Sequence, residues 1–309
     1  MYVLRPEKQI EIIGALTEGC SIRAIERLSG AHRDSIMRLA VRVGEGCAHL
    51  HDRLMHDLQV GLVEMDEQWA FIAKKQKRVK ESDPAYYGDM WVFTAFAATQ
   101  KAVISYVVGK RTSENALALA ADLRARTINR PQITADGYAP YIGAIRQAFG
   151  GGLGCDFAQL IKVYQATPGN DSATRYSPGR IRSIEKEPVF GNPDEDLIST
   201  SYVERFNLTN RMAMRRLTRL TNGFSKKFEN HQAAVSLHVA HYNLCRVHET
   251  LRTTPAMALG ITKHIWTIGE LIDAALSAPK PAPTLPVPPT PTRPSPRGFQ
   301  LRVIRGGRA

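Results

Sequence analysis

A chain of 309 residues, 43% of them apolar, can build one sizeable core with a smaller module beside it. Its N-terminal stretch "MYVLRPEKQIEIIGAL" is broken by charges and lacks the apolar centre of a secretion signal, and no run approaches membrane-spanning length. Cys20, Cys47, Cys155 and Cys245 lie far apart with no C-x-x-C pair, so neither a sequence-evident zinc site nor a disulfide framework is expected, and a reducing cytoplasm is. The net charge of +12 is localised: residues 199–252 carry nine basic against three acidic residues, and the stretch from 279 onward carries six against none. A concentrated cationic surface points to a polyanion such as nucleic acid.

The first fifty residues predict three helices. "PEKQIEIIGALTEG" ends at Gly19, Ser21 caps "SIRAIERLSG", and "HRDSIMRLAVRVG" follows and stops at Gly44. Short helices around a glycine turn predict a helix-turn-helix DNA-binding domain over residues 1–58. The third helix would read DNA through Arg33, Ser35, Arg38 and Arg42. A three-helix interaction bundle is the alternative.

From about residue 59 the texture changes to strands: "VGLVEMDEQWAFIAK", "DMWVFTAFAAT" and "AVISYVVGK". A helix follows in "SENALALAADLRART", capped by Ser113, then a strand in "PQITAD", a helix in "YAPYIGAIRQAFG" and a strand in "CDFAQLIKVYQ". This order describes an α/β domain over 59–276, a mixed sheet flanked by helices. Residues 165–198, rich in Pro, Gly and charge, read as an insertion of irregular or short strand structure. Helices are expected at about 200–221 and 225–246, then a turn with a closing helix in "CRVHETLRTTPAMALGI" and a helix in "WTIGELIDAAL". The tail 277–309, with "PKPAPTLPVPPTPTRPSPRG", is expected to be extended and disordered.

Three acids stand in apolar or cationic surroundings. Asp66 lies inside a strand, Asp136 ends one, and Glu204 opens the arginine-rich stretch "STSYVERFNLTNRMAMRRLTRLTN". An unpaired carboxylate near a core is expensive, and divalent metal ions are one remedy. Acids from two strands and a helix could hold two such ions. Helix capping is the plainer alternative for Asp136. At about 100° per residue, Glu204, Leu208, Arg211, Arg215 and Thr218 share one helix face, opposite Phe206, Ala213, Leu217 and Leu220. Arg211 and Arg215 would then grip DNA phosphates beside the metals. The run "KKQKRVK", with Lys74 and Lys75, is a second candidate phosphate contact or a solvated turn. His238 and His241 read as packing residues, His248 as structural or DNA-proximal, and "GGGLG" lacks the Lys-Ser/Thr of a P-loop.

In combination, "MDEQWAFIAKKQKR", "TADGYAPY", "STSYVERFNLTNRMAMRRLTRLTNGFSKK" and "HYNLCRVHETLRTTPAMA" resemble the DDE transposases of bacterial insertion sequences, nearest to the insertion-sequence-one family, over roughly residues 60–270. The resemblance implies an RNase H-like catalytic core with Asp66, Asp136 and Glu204 as its three acids. It implies Mg2+ as cofactor, with Mn2+ as a substitute, and DNA as partner, both the element's terminal inverted repeats and the target. It also implies a homo-oligomer, at least a dimer on DNA, in the bacterial cytoplasm at the nucleoid. Arg211 stands where such enzymes often carry Lys, and the upstream cysteine zinc motif of many members is absent. The same residues are open to two other readings, a metal-dependent nuclease without strand transfer and a non-catalytic DNA-binding regulator.

Overall fold

The computed structural model describes residues 4–164, 181–218 and 221–277. The expected tail beyond Ser277 and the first part of the expected insertion, 165–180, lie outside the described residues, as do Arg219 and Leu220. Within these bounds the chain is a mixed α/β structure with a six-stranded mixed sheet flanked by helices, consistent with the RNase H-like expectation.

The strands are β1 (Leu62–Ile72), β2 (Gly88–Ala97), β3 (Ala102–Gly109), β4 (Gln132–Asp136), β5 (Asp156–Tyr164) and β6 (Ile181–Phe190). They lie in the order β3-β2-β1-β4-β5-β6. β1, β2 and β3 form an antiparallel meander, β4 and β5 run parallel to β1, and β6 returns antiparallel beside β5. The parallel crossovers are made by α4 (Ser113–Arg126) with the chain that follows it, and by α5 (Pro140–Phe149). β6 supplies ten residues of strand in the second part of the insertion.

Side chains alternate across the sheet with period two. Met65 of β1 and Phe93 of β2 face the core built with Leu119 and Leu123 of α4 and Ile145 of α5. Ala70, Val92, Phe96 and Val103 face the opposite core. There they meet Val203 and Phe206 of α6 (Ser201–Ala213) and Val235, Val239 and Tyr242 of α7 (Phe228–Leu244). A third core joins α1 (Pro6–Thr17), α2 (Ile22–Ser29) and α3 (Arg33–Leu54) to α7 and to α9 (Ile268–Ser277), through Ile12, Ile25, Ile36, Val43, Leu237 and Leu271 among others. The closing helix α8 is a single turn, Pro255–Ala258, capped by Thr254. No helix among the described residues is long and apolar enough to cross a membrane.

Three element boundaries differ from the sequence expectation. α3 does not stop at Gly44 but runs on to Leu54. Gly44 and Gly46 are there for close approach: a Cβ at Gly44 would collide with the Ala233 carbonyl of α7, and one at Gly46 with the Ala275 carbonyl of α9. Glycine's lower helix propensity is outweighed by the packing it permits. α4 is capped by Thr112, whose hydroxyl accepts from the Asn115 N–H, and Ser113 is its first helical residue. α6 ends at Ala213, not near 221. Met214 and Leu217 turn inward to the core with Phe96 and Phe206, and Thr218 Oγ1 donates to the Arg211 and Met214 carbonyls at 2.7 and 3.3 Å. Burial of two large apolar side chains, with a hydroxyl satisfying the freed carbonyls, wins over further helix. Arg215 and Thr218 therefore do not continue the helical face of Glu204.

Candidate active site

β1 carries three acids in the four residues Glu64 to Glu67. The parallel register with β4 runs from Leu62↔Gln132 to Met65↔Ala135, so one step further brings Asp66 beside Asp136 at the carboxyl end of β4. One carboxylate oxygen from each of Asp66, Glu67 and Asp136 lies within 4.8 Å of the other two. Asp66 and Asp136 are half-buried, while the Glu67 side chain is 1% exposed. Asp136 Oδ1 accepts from the Tyr138 N–H at 3.1 Å and so shapes the turn after β4; it does not cap α5, whose N-cap is Ala139.

The electrostatics follow from this crowding. Burial first, then the Asp136 charge and that of Glu204, push the Asp66 carboxyl up to about 7, against hydrogen bonds from the Glu67 N–H and from Asn207. Burial and the Asp136 charge push Glu67 up to about 8, and the Arg111 guanidinium opposes them. Asp136 is raised as well, by burial. Without a metal ion Asp66 and Glu67 are therefore not fully ionised at neutral pH.

Glu204 approaches the trio from α6. Its carboxylate is ion-paired with Lys162 of β5, and its Oε1 also accepts from Thr200 Oγ1 at 2.6 Å. One helical turn on, Asn207 Nδ2 donates to Asp66 Oδ2 at 2.7 Å. The amino end of α6 is fixed by Glu64, a buried acid whose Oε2 accepts from the Val203 N–H at 2.8 Å. Below it a buried polar chain joins three elements: Gln68 Nε2 donates to the Asn207 carbonyl, Asn210 Nδ2 donates to Gln68 Oε1, and His238 Nε2 donates to Asn210 Oδ1 at 2.7 Å. Burial lowers the His238 imidazole to about 3, so it stays neutral and structural.

The donor set suits a hard divalent cation, since it consists of carboxylate oxygens. Two buried polar atoms near it have no hydrogen-bond partner among the described residues. They are Asn207 Oδ1, on the side chain that holds Asp66, and Tyr141 Oη, within electrostatic reach of Asp66, Glu67 and Asp136. Orphaned oxygens beside a charged cluster indicate a place for an ion or its water.

The structure thus brings Asp66 and Asp136 together with Glu67, while Glu204, on α6, acts on both aspartates through its charge and lies outside that close cluster. The other expected DNA contacts are dispersed. Arg33, Arg38 and Arg42 are exposed on α3, opposite buried Ile36, Leu39 and Val43. Lys74 is ion-paired with Asp83 at 2.8 Å, while Lys75 is exposed. Arg211 lies in the last turn of α6, and Arg215 is exposed just beyond it. Sequence reasoning missed Glu64, Glu67, Arg111, Lys162 and Asn207. A signal existed for the first two, because "EMDE" inside an apolar strand demands partners on both faces.

No protein-family model matches this chain, nor does any curated protein. Among solved structures it is similar to one titled "Mos1 transposase paired-end complex with left transposon end", at 16% identity over 51% of this chain and 60% of that one, with a TM-score of 0.21. It is similar also to a pre-cleavage Mos1 transpososome, at 14% identity over 89% of this chain and 80% of that one, TM-score 0.31. A third is the piggyBac transposase synaptic complex with hairpin DNA, at 10% identity over 88% of this chain and 69% of that one, TM-score 0.36. Likeness at this level does not set an activity.

Proposed function

We propose that the chain is a DDE-type transposase of the insertion-sequence-one family, acting on DNA phosphodiesters at the ends of a mobile element. The observation that carries this is the juxtaposition of Asp66 and Asp136 at adjacent parallel strands, with the charge of Glu204, on α6, acting on both. Asp66, Asp136 and Glu204, with Glu67 against them, would hold divalent ions, magnesium or manganese. Such ions, when bound, supply Lewis-acid stabilisation of the attacking and leaving oxygens of phosphoryl transfer. The chain's own residues do the rest. Arg211 and Arg215, in and just beyond the last turn of α6, would offer guanidinium groups to the DNA backbone. Arg33, Arg38 and Arg42 on α3 bind the terminal repeat, and Lys75 adds a phosphate contact. Asn207 and Glu64 hold β1 and α6 in register, so that Glu204 and Asp66 keep a fixed relation. Work on two ends at once requires at least two copies on DNA.

The experiment is strand transfer by the full chain. A duplex ending in the pre-cleaved terminal repeat that flanks this chain's gene is incubated with plasmid target and Mg2+. Joined product, absent with Asp136→Asn, supports the proposal. Cutting of an uncleaved end without any joining would replace it with the nuclease reading.

A further inference from the structure

Arg111 follows β3 and precedes α4, and it closes one side of the acid trio. Its Nε donates to Glu67 Oε1 at 3.3 Å. Its guanidinium carbon stands 4.1 Å from the Tyr138 ring centroid and 5.0 Å from that of Trp91. A planar cation against two aromatic faces and one carboxylate is held in place, because rings and acid each attract it. Tyr138 lies two residues after Asp136, so the same turn that aims that acid also supplies the platform. Among the described residues, Arg111 is the cation hydrogen-bonded to this trio, and its charge acts on Asp136 as well as on Glu67. Its hydrogen bond runs through Nε and its side chain is 39% exposed, so the guanidinium has a route outward along the aromatic faces.

We infer that Arg111 is the resident counter-ion of the acid trio, and that it lowers the affinity of Asp66, Glu67 and Asp136 for a divalent cation by occupying the position at Glu67 that the cation's charge would otherwise neutralise. This rests on the metal-binding reading of the site given above. A guanidinium and a divalent ion repel each other, so each that sits at the trio weakens the other. Arg111 swings aside when the divalent ion enters, and its fork is then turned to the solvent side, where a DNA phosphate would lie. The arrangement keeps Glu67 paired in the metal-free protein and makes metal loading a competition, not a simple filling of an open cluster.

The test titrates Mn2+ alone, without DNA, into the full-length protein and its Arg111→Gln, Arg111→Lys and Arg111→Met variants, with affinity read by calorimetry or by Mn2+ paramagnetic resonance. Arg111→Gln is expected to bind Mn2+ about fivefold more tightly than the parent at low salt, the order expected for a part-exposed charge. Arg111→Lys, which retains the charge, is expected to stay within about twofold of the parent. The gap between parent and Arg111→Gln should shrink as KCl is raised, which a purely structural effect would not do. Arg111→Met keeps an apolar stem between Trp91 and Tyr138 and serves in the same titration if the Gln variant does not fold. Binding that is unchanged or weaker in the uncharged variants overturns the inference while leaving the metal site intact. Absence of Mn2+ binding in parent and variants alike overturns the metal-binding reading itself.

Discussion

Asn207 ties α6 to β1 from both ends of its residue: its side-chain Nδ2 donates to Asp66 Oδ2 at 2.7 Å, and its main-chain carbonyl accepts from Gln68 Nε2 at 2.9 Å. Asn207 is buried, so neither bond is exchanged freely with water. Because Glu204 lies one helical turn before Asn207, this double attachment sets where Glu204 stands relative to Asp66. Replacing Asn207 with Ala should lower unfolding stability by about 1–3 kcal/mol, the range for a buried hydrogen bond to a carboxylate. Urea unfolding monitored by circular dichroism checks this. A variant as stable as the parent would mean that α6 is held by its apolar face alone.

The chain Gln68–Asn210–His238 gives a second stability prediction. His238→Phe retains a ring in the stack with Phe206 and Tyr242 but leaves Asn210 Oδ1 buried without its donor. The expected loss is again about 1–3 kcal/mol, while His238→Gln, which can still donate, should lose less. Equal losses in the two variants would show that ring packing, not the hydrogen bond, matters at this position.

Glycines in helices separate packing from propensity. Gly44→Ala puts a methyl group into the Ala233 backbone, so α3 and α7 must move apart, and a loss of about 2 kcal/mol or more is expected from overpacking. Gly143 in α5 meets nothing within 4 Å, so Gly143→Ala should instead stabilise by about 0.5–1 kcal/mol. Paired thermal melts test both signs, and a Gly44→Ala protein that melts above the parent would contradict the close approach of these helices.

The pH dependence of the metal-free protein carries the signature of the acid trio. The folded Asp66 carboxyl sits at about 7, above its ordinary 3.8, so the folded chain holds a proton that the unfolded chain releases. A raised carboxyl contributes stability below the unfolded value and loses it as pH rises through the folded one. Buried His51, lowered to about 4, and His231 and His238, lowered to about 3, act in the opposite sense: their contribution is present above the ordinary histidine range and is lost as pH falls. They are common to parent and variant, so comparison with Asp66→Asn removes their contribution and leaves that of the acid cluster. In chelator, the variant's melting temperature should rise relative to the parent's between about pH 4 and 7. Parallel melting curves across that range would show that burial and the neighbouring acids do not raise the Asp66 carboxyl. Mn2+ should narrow the gap at pH 7 by stabilising the parent more.

Asp66 and Asp136 were legible in the sequence because an acid in an apolar strand has few satisfactory environments, and the succession of strands and helices along the chain could be followed from periodicity. Glu204 was legible because it is the one carboxylate in a cationic stretch without an acceptable partner on its own helix. Its actual partner, Lys162, lies 42 residues away on β5, a pairing that depends on sheet order and not on local pattern. Arg111 was invisible for the same reason, since it gains meaning only when the chain after β3 is folded against β1 and the turn after β4. Where local propensity met tertiary packing, the packing prevailed: α3 crosses Gly44, and α6 stops where Met214 and Leu217 find a core. Neither outcome is written in a window of a few residues.

The most direct test is strand transfer by the full chain onto plasmid target from a pre-cleaved terminal-repeat duplex in Mg2+, comparing the parent with Glu204→Gln. Glu204→Gln keeps the size of the side chain and one acceptor oxygen, removes the charge and puts an NH2 donor in place of the other oxygen. Joined product from the parent, falling by at least about a hundredfold in Glu204→Gln with DNA binding intact, is the predicted result. Joining that persists undiminished in Glu204→Gln would contradict the assignment of Glu204 to the Asp66–Asp136 site.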